Sequence, residues 1–386
     1  VARQAPEGLE KHLPEGVRSR FVDPVNGLRM HVLEARFENP DRPALLLLHG
    51  FPELAFSWRK VMPALAEAGF HVIAPDQRGY GRTTGWDAAY DGDLASFRPF
   101  NLVQDLLALL TALDIERVEA VIGHDFGSPI AAHCALIRPD VFPAVVLMSA
   151  PFAGTPSRQP VPAPGFDIHA DLAALSRPRK LYQWYYSTRA ADADMRDAPQ
   201  GLPAFLRAYY HVKSADWAEN RPHPLTAWSA EQLAILPDYY VMPLGATMPQ
   251  AVAPYAPSAA EARDCDWLTD DELAVYAREF ARTGFQGGLQ WYRCGVEGLS
   301  ERDLRLVRRA QDRRPGLVHR WRRRLGGLPG AGRVRGAGNP RLQPLSRRPP
   351  GRGRRPLGAA GTARGGRRAF AEFSGGLSFA DRNPPP

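Results

Sequence analysis

The apolar segment ending in Val121-Ile122 runs into Gly123-His124-Asp125-Phe126-Gly127, where two glycines bracket a single carboxylate. A G-x-nucleophile-x-G turn is a strained strand-to-helix elbow. Its glycines let the backbone pass close to its neighbours, and its central side chain is lifted above the C-terminal edge of a sheet. The turn therefore implies a strand-turn-helix unit at the C-terminal edge of a sheet. The apex residue also narrows the chemistry. Serine at this position attacks acyl carbon, whereas aspartate suits an electrophilic sp3 carbon, because displacement leaves an ester whose own carbonyl water then attacks. The implied substrate is a small alkylating molecule such as an epoxide or a haloalkane. A plainer alternative is that Asp125 only caps the helix that begins at Phe126, and five residues alone do not separate the two readings.

Two further segments do. Ala44-Leu45-Leu46-Leu47-Leu48 is a buried-strand run that ends in the turn His49-Gly50-Phe51-Pro52-Glu53. Residues Gly69 to Pro75 form a second strand pattern, followed by Asp76-Gln77-Arg78-Gly79-Tyr80-Gly81-Arg82, a D-x-R-G-x-G loop. In this order and spacing the three segments resemble the epoxide hydrolase branch of the α/β-hydrolase superfamily. The resemblance implies an α/β-hydrolase fold, a doubly wound and mostly parallel sheet with a helical cap.

It also implies roles. Asp125 corresponds to the nucleophile, within an elbow supported by Gly123 and Gly127. The turn His49, Gly50, Phe51, Pro52 corresponds to the H-G-x-P turn of an oxyanion hole, whose backbone N–H donors are Phe51 and Phe126. The stretch from about Pro151 to Cys294 is rich in Tyr, Trp and Pro, with helical patterning at Pro203–Lys213 and Asp270–Arg282, and resembles the cap. Within it, Leu181-Tyr182-Gln183-Trp184-Tyr185 and the segment Gly284 to Cys294 resemble the two pieces that carry substrate-facing tyrosines, here Tyr182 and Tyr292. Two phenols converging on an oxirane oxygen share its developing charge and supply a proton as the C–O bond breaks. A halide leaving group needs no proton, so the pair favours epoxide over haloalkane. Phe126 stands where dehalogenases use an indole N–H to hold halide, which weakens a haloalkane dehalogenase reading further. Tyr185 and Tyr186 are read as packing residues.

After Leu306 the chain changes character. Residues 307–386 hold 20 Arg, no Lys, 3 acidic residues, 15 Gly and 10 Pro, without apolar periodicity. The body carries 29 basic and 38 acidic residues, a net −9, against +17 in the tail and +8 overall. The family pattern calls for two more parallel strands, an acid loop, a histidine loop and a final helix, none of which is legible there. Reading the tail one base out of register restores compatible choices. Trp321 followed by Arg322 must give glycine in that register, the acid codon straddles Arg324 and Leu325, and the histidine codon straddles Pro356 and Leu357. We therefore expect a one-base frame slip near Leu306-Val307, a sixth strand lacking its neighbour, a disordered tail, and impaired turnover because the general-base histidine and its acid are missing.

The expected organisation is a hydrolase core over 1–150, a cap over 151–294, a return to the core over 295–306 and the tail over 307–386. Twenty arginines bind polyanions non-specifically, but without interleaved aromatics or regular repeats the tail does not read as a specific nucleic-acid site. A non-catalytic ligand-binding protein of the same fold is a third reading, opposed by Asp125 and both tyrosines. His124 precedes the nucleophile and is expected on the far side of its strand. His12, His31, His71, His133, His169, His211, His223 and His319 have no motif context. Three widely spaced cysteines and no membrane-length apolar run read as a cytoplasmic protein. No metal-ligand spacing or phosphate loop is present, so no cofactor is expected, and water is the second substrate.

Overall fold

The structure, a computed structural model, describes residues 8–38, 42–150, 152, 167–221 and 225–307, with the backbone of 318–320. Six strands fall within the expected core: β1 (Val17–Val25), β2 (Leu28–Ala35), β3 (Ala44–Leu48), β4 (His71–Pro75), β5 (Val118–His124) and β6 (Val145–Met148). β1 and β2 form an antiparallel hairpin that turns at Asn26-Gly27, with φ of 48° and 79°. An Asn-Gly pair takes up such positive φ values readily. β2 is antiparallel to β4, while β4, β3, β5 and β6 lie parallel in that spatial order. The five residues of β3 are apolar and all buried, as a central parallel strand covered on both faces requires.

Helices α1 (Met62–Glu67), α2 (Pro99–Ala112) and α3 (Gly127–Ile137) connect the parallel strands. α2 begins on proline and buries Leu102, Val103, Leu106, Leu109 and Leu110, one apolar stripe at helical spacing. Together these elements form the doubly wound α/β-hydrolase core.

Beyond β6 the described chain builds a helical cap from α4 (Ile168–Ala173), α5 (Tyr182–Tyr186), α6 (Ala191–Arg196), α7 (Leu202–Lys213), α8 (Ala230–Leu233), α9 (Met248–Val252), α10 (Ala259–Asp264) and α11 (Asp270–Thr283). A two-stranded antiparallel ribbon, β7 (Arg179–Leu181) with β8 (Val241–Pro243), runs among them. α7 and α11 occupy the two stretches with helical patterning. Thr269 and Glu272 form a reciprocal capping box that starts α11. α12 (Gln286–Val296) follows, within the stretch expected as cap up to residue 294, and the chain continues through α13 (Leu299–Leu306).

Cap and core are pinned together by named polar contacts. Arg59 pairs with Glu272 and Arg82 with Glu279, both at 2.7 Å. The Tyr210 hydroxyl donates to the Pro52 carbonyl at 2.6 Å. Buried ion pairs of this kind contribute little net stability, but removing one partner is strongly destabilising.

β6 does not stand at the sheet edge, contrary to the expectation from sequence. β9 (Val318–Arg320) pairs with it in parallel, with Val145 opposite Val318 and Leu147 opposite Arg320. The bare edge of β6 presents backbone N–H and C=O groups that extended backbone satisfies whatever its side chains. The remainder of the tail, where a disordered segment and a missing final helix were expected, lies outside the described residues. His223 and the side chain of His319 lie outside them as well.

Candidate active site

β5 delivers Asp125 to the C-terminal edge of the sheet with φ +50°, a left-handed conformation that costs a non-glycine residue energy unless its surroundings enforce it. The enforcement is visible. The Asp125 N–H donates to Met148 O and the Ser128 N–H to Asp125 O, both at 3.0 Å. A Cβ on Gly123 would lie 2.2 Å from the Gly127 carbonyl oxygen, and one on Gly127 would lie 2.3 Å from that of Leu48. Both elbow glycines are thus required by backbone running against backbone. Gly50 lets the neighbouring turn lie directly on Asp125, since a Cβ there would meet Asp125 Cβ at 2.4 Å.

The two carboxylate oxygens of Asp125 have different surroundings. Oδ1 accepts the backbone N–H groups of Phe126 at 2.7 Å and Phe51 at 3.1 Å. These are the two donors read from sequence, converging on one oxygen. Oδ2 is left facing the cap, and the side chain is 28% exposed. An oxygen held by two backbone donors beside a second that has none is an arrangement suited to attack by the second atom, with later stabilisation of charge on the first.

Above it stand the lid phenols. Tyr182 opens α5, with its N–H donating to Tyr240 O at 3.0 Å, and Tyr292 lies on α12. Their ring centroids are 5.9 Å apart, and Tyr292 packs edge-on against Phe126 at 4.7 Å and Phe51 at 5.3 Å. Neither hydroxyl has a hydrogen-bond partner among the described residues. Burial, then the charge of Asp125, pushes Tyr182 well above the usual phenol range. Burial, then Tyr182 and Asp125, does the same for Tyr292. Both therefore keep their protons. By contrast the Tyr185 hydroxyl donates to Asp194 at 2.9 Å and that of Tyr186 to Tyr209 at 3.3 Å.

The histidines of the motifs are held by their own loops. His49 Nδ1–H donates to the Gly50 carbonyl at 2.9 Å, while its Nε2 accepts the Gln77 N–H at 3.1 Å. Those partners assign the neutral tautomer, and burial lowers its pKa. His124 meets Glu53, which the oxyanion turn brings round to it, at 3.0 Å. Glu53 also accepts the Gly50 N–H at 3.1 Å. Burial works against the Glu53 charge, but His124 and that N–H outweigh it and hold the carboxyl at about 2. His124 is raised in turn, Glu53 outweighing the effect of burial. Among the described residues no histidine hydrogen-bonds to Asp125.

One charged neighbour has no sequence signal. Lys213, the last residue of α7, places its Nζ 3.9 Å from Asp125 Oδ2. Nothing in a lysine at the end of an amphipathic helix marks it as facing a carboxylate in another layer.

The architecture and elbow define a hydrolase of the α/β-hydrolase fold, and the alpha/beta hydrolase fold family model matches residues 43–229. Over 277 residues the chain is 35% identical to Epoxide hydrolase A of Mycobacterium tuberculosis, covering 71% of this chain and 73% of that one. It is 33% identical over 269 residues to an epoxide hydrolase of Caballeronia sordidicola, covering 70% and 68%. Among solved structures, an epoxide hydrolase from an endophytic Streptomyces matches with a TM-score of 0.58 at 33% identity over 77% of each chain. The chain belongs to the epoxide hydrolases, enzymes of the α/β-hydrolase superfamily. Among the described residues no helix is long and apolar enough to cross a membrane.

Proposed function

We propose that this chain opens a small hydrophobic epoxide through a covalent ester on Asp125 and directs that ester towards a vicinal diol. The observation that carries the reading is the asymmetry of Asp125, with Oδ1 bound by the Phe51 and Phe126 N–H groups and Oδ2 without a backbone donor, turned towards Lys213 of the cap. Oδ2 forms a bond to an epoxide carbon as the ring C–O bond breaks. The electron pair goes to the oxirane oxygen, which takes a proton from Tyr182 or Tyr292. Water then adds to the ester carbonyl, and Oδ1, already in the hole, takes the oxyanion.

The second half needs a base for the water, and loss of a general base lowers such a step by about 100- to 10,000-fold. Among the described residues no such base is identified beside Asp125, and on this reading the ester accumulates. Intact-mass spectrometry after exposure to styrene oxide tests this. One adduct per chain is expected, mapping to Asp125 and absent in Asp125→Asn. An adduct on another residue overturns the nucleophile, and sustained diol release overturns the stall.

A further inference from the structure

Lys213 takes no part in the scheme above. Its Nζ lies 3.9 Å from Asp125 Oδ2, with the lysine side chain 24% exposed. It also donates to the Tyr209 hydroxyl at 3.3 Å, and it stands 4.9 Å from the Tyr209 ring centroid and 6.0 Å from that of Tyr239. A lysine in the last turn of a helix ordinarily faces solvent, where it offsets the partial negative charge of the helix end. This one is turned towards an aromatic pocket, and an ammonium partly withdrawn from water is favoured by a counter-charge. The counter-charge is the free oxygen of Asp125, because Oδ1 is already held by two backbone donors.

We propose that Lys213 is a further catalytic residue of this site, the counter-ion first of the attacking Asp125 oxygen and then of the lid phenolate that ring opening leaves behind. The inference rests on the reading of Asp125 as nucleophile. At rest the carboxylate and the ammonium cancel beside two neutral phenols. When Oδ2 bonds to carbon, the ring electron pair moves to the oxirane oxygen and a phenol proton follows it. Asp125 becomes a neutral ester, and the negative charge sits on the phenol. The pocket is neutral before and after only because Lys213 remains.

Its surroundings agree with both roles. The groups bearing on Lys213 are Tyr209 on its own helix, Asp125 from the core, and Tyr239 and Tyr240 before β8. Burial works against its charge, but these groups outweigh it and hold the ammonium above the ordinary lysine value. Lys213 in turn opposes the rise of Tyr182, favouring the ionised phenol, and its charge is felt by His124 across the elbow.

Two measurements on the full chain test the proposal. The first is the rate of adduct formation with styrene oxide near neutral pH, followed by intact mass in Lys213→Met and Lys213→Arg. The methionine variant is expected to slow alkylation tenfold or more, and the arginine variant to stay within about threefold of the parent. The second needs no epoxide. Acetylation of Lys213 by acetic anhydride is followed against pH by peptide mapping, in the parent and in Asp125→Asn. The labelling midpoint is expected to fall by about one unit or more when the carboxylate is removed. An unmoved midpoint, or a methionine variant that alkylates like the parent, overturns the counter-ion. A parent chain that forms no adduct while the midpoint still shifts refutes the nucleophile and catalysis by Lys213, and leaves only the ion pair.

Discussion

Replacing Gly287 by alanine tests whether the core loop and the lid helix are held in register by bare backbone. A Cβ on Gly287 would stand 2.1 Å from the Gly79 carbonyl oxygen and 2.4 Å from its Cα, while one on Gly79 would stand 2.6 Å from Gly287 C. The obstructing atoms are backbone on both sides, so no side chain can swing aside. Restoring a contact of about 3.5 Å requires the two segments to part by roughly 1.4 Å. α12 carries Tyr292, and its Trp291 donates from Nε1 to the Arg78 carbonyl at 3.1 Å, so the displacement is passed to the lid phenol. A misplacement of about 1 Å lowers a positioned reaction by about 100-fold, and overpacking destabilises by about 1–3 kcal/mol. Gly295 lies on the same helix with nothing within 4 Å of its would-be Cβ. Alanine there should leave the rate unchanged and stabilise by up to about 1 kcal/mol. The assay is single-turnover alkylation by styrene oxide followed by intact mass, beside thermal unfolding. A Gly287→Ala chain that alkylates within about threefold of the parent would show that this contact does not position Tyr292.

Tyr182→Phe and Tyr292→Phe should each slow ring opening about tenfold, and the double variant about 100-fold or more; adduct rates that ignore both would remove the proton-donor role. For the Glu53–His124 pair the sign follows from the two shifts. Glu53, held at about 2 against 4.5 ordinarily, contributes stability above its ordinary value that is lost as pH falls from about 4.5 towards 2. His124, raised above 6.5, contributes below that value and loses its share as pH rises through its elevated pKa. The Tm deficit of Glu53→Gln should therefore be greatest between about pH 5 and 6, with a Glu53 share on the order of 3 kcal/mol, and a deficit independent of pH would contradict the pairing. Resequencing the gene across the codons for residues 300–312 should reveal a one-base slip; a chain with the register restored should release diol over many turnovers, and an intact frame would leave the tail's composition to be explained otherwise.

Local chemistry made much of this site legible. The elbow, the oxyanion turn and the D-x-R-G-x-G loop are short segments whose glycines and apolar flanks admit few conformations, so their residues could be named before any contact was seen. Helical patterning likewise located α7 and α11, because it reports which face is buried. What stayed hidden was contact between distant segments. Gly79 and Gly287 were each read within their own motif, but neither motif states that the other's backbone fills the space a Cβ would take. Glu53 and His124 were both in quoted motifs, and their pairing depends on how the oxyanion turn curls over the elbow. β9 pairs with β6 through backbone groups that every residue carries, so no side-chain pattern announces it. Lys213 was the most deeply hidden, since its helix was recognised and a cation in a last turn satisfies the helix end by itself. Only the docking of α7 over β5 brings that charge to Asp125, 3.9 Å away. Asp125 could be read from its own strand, but the lysine beside it becomes visible only when cap and core are seen together.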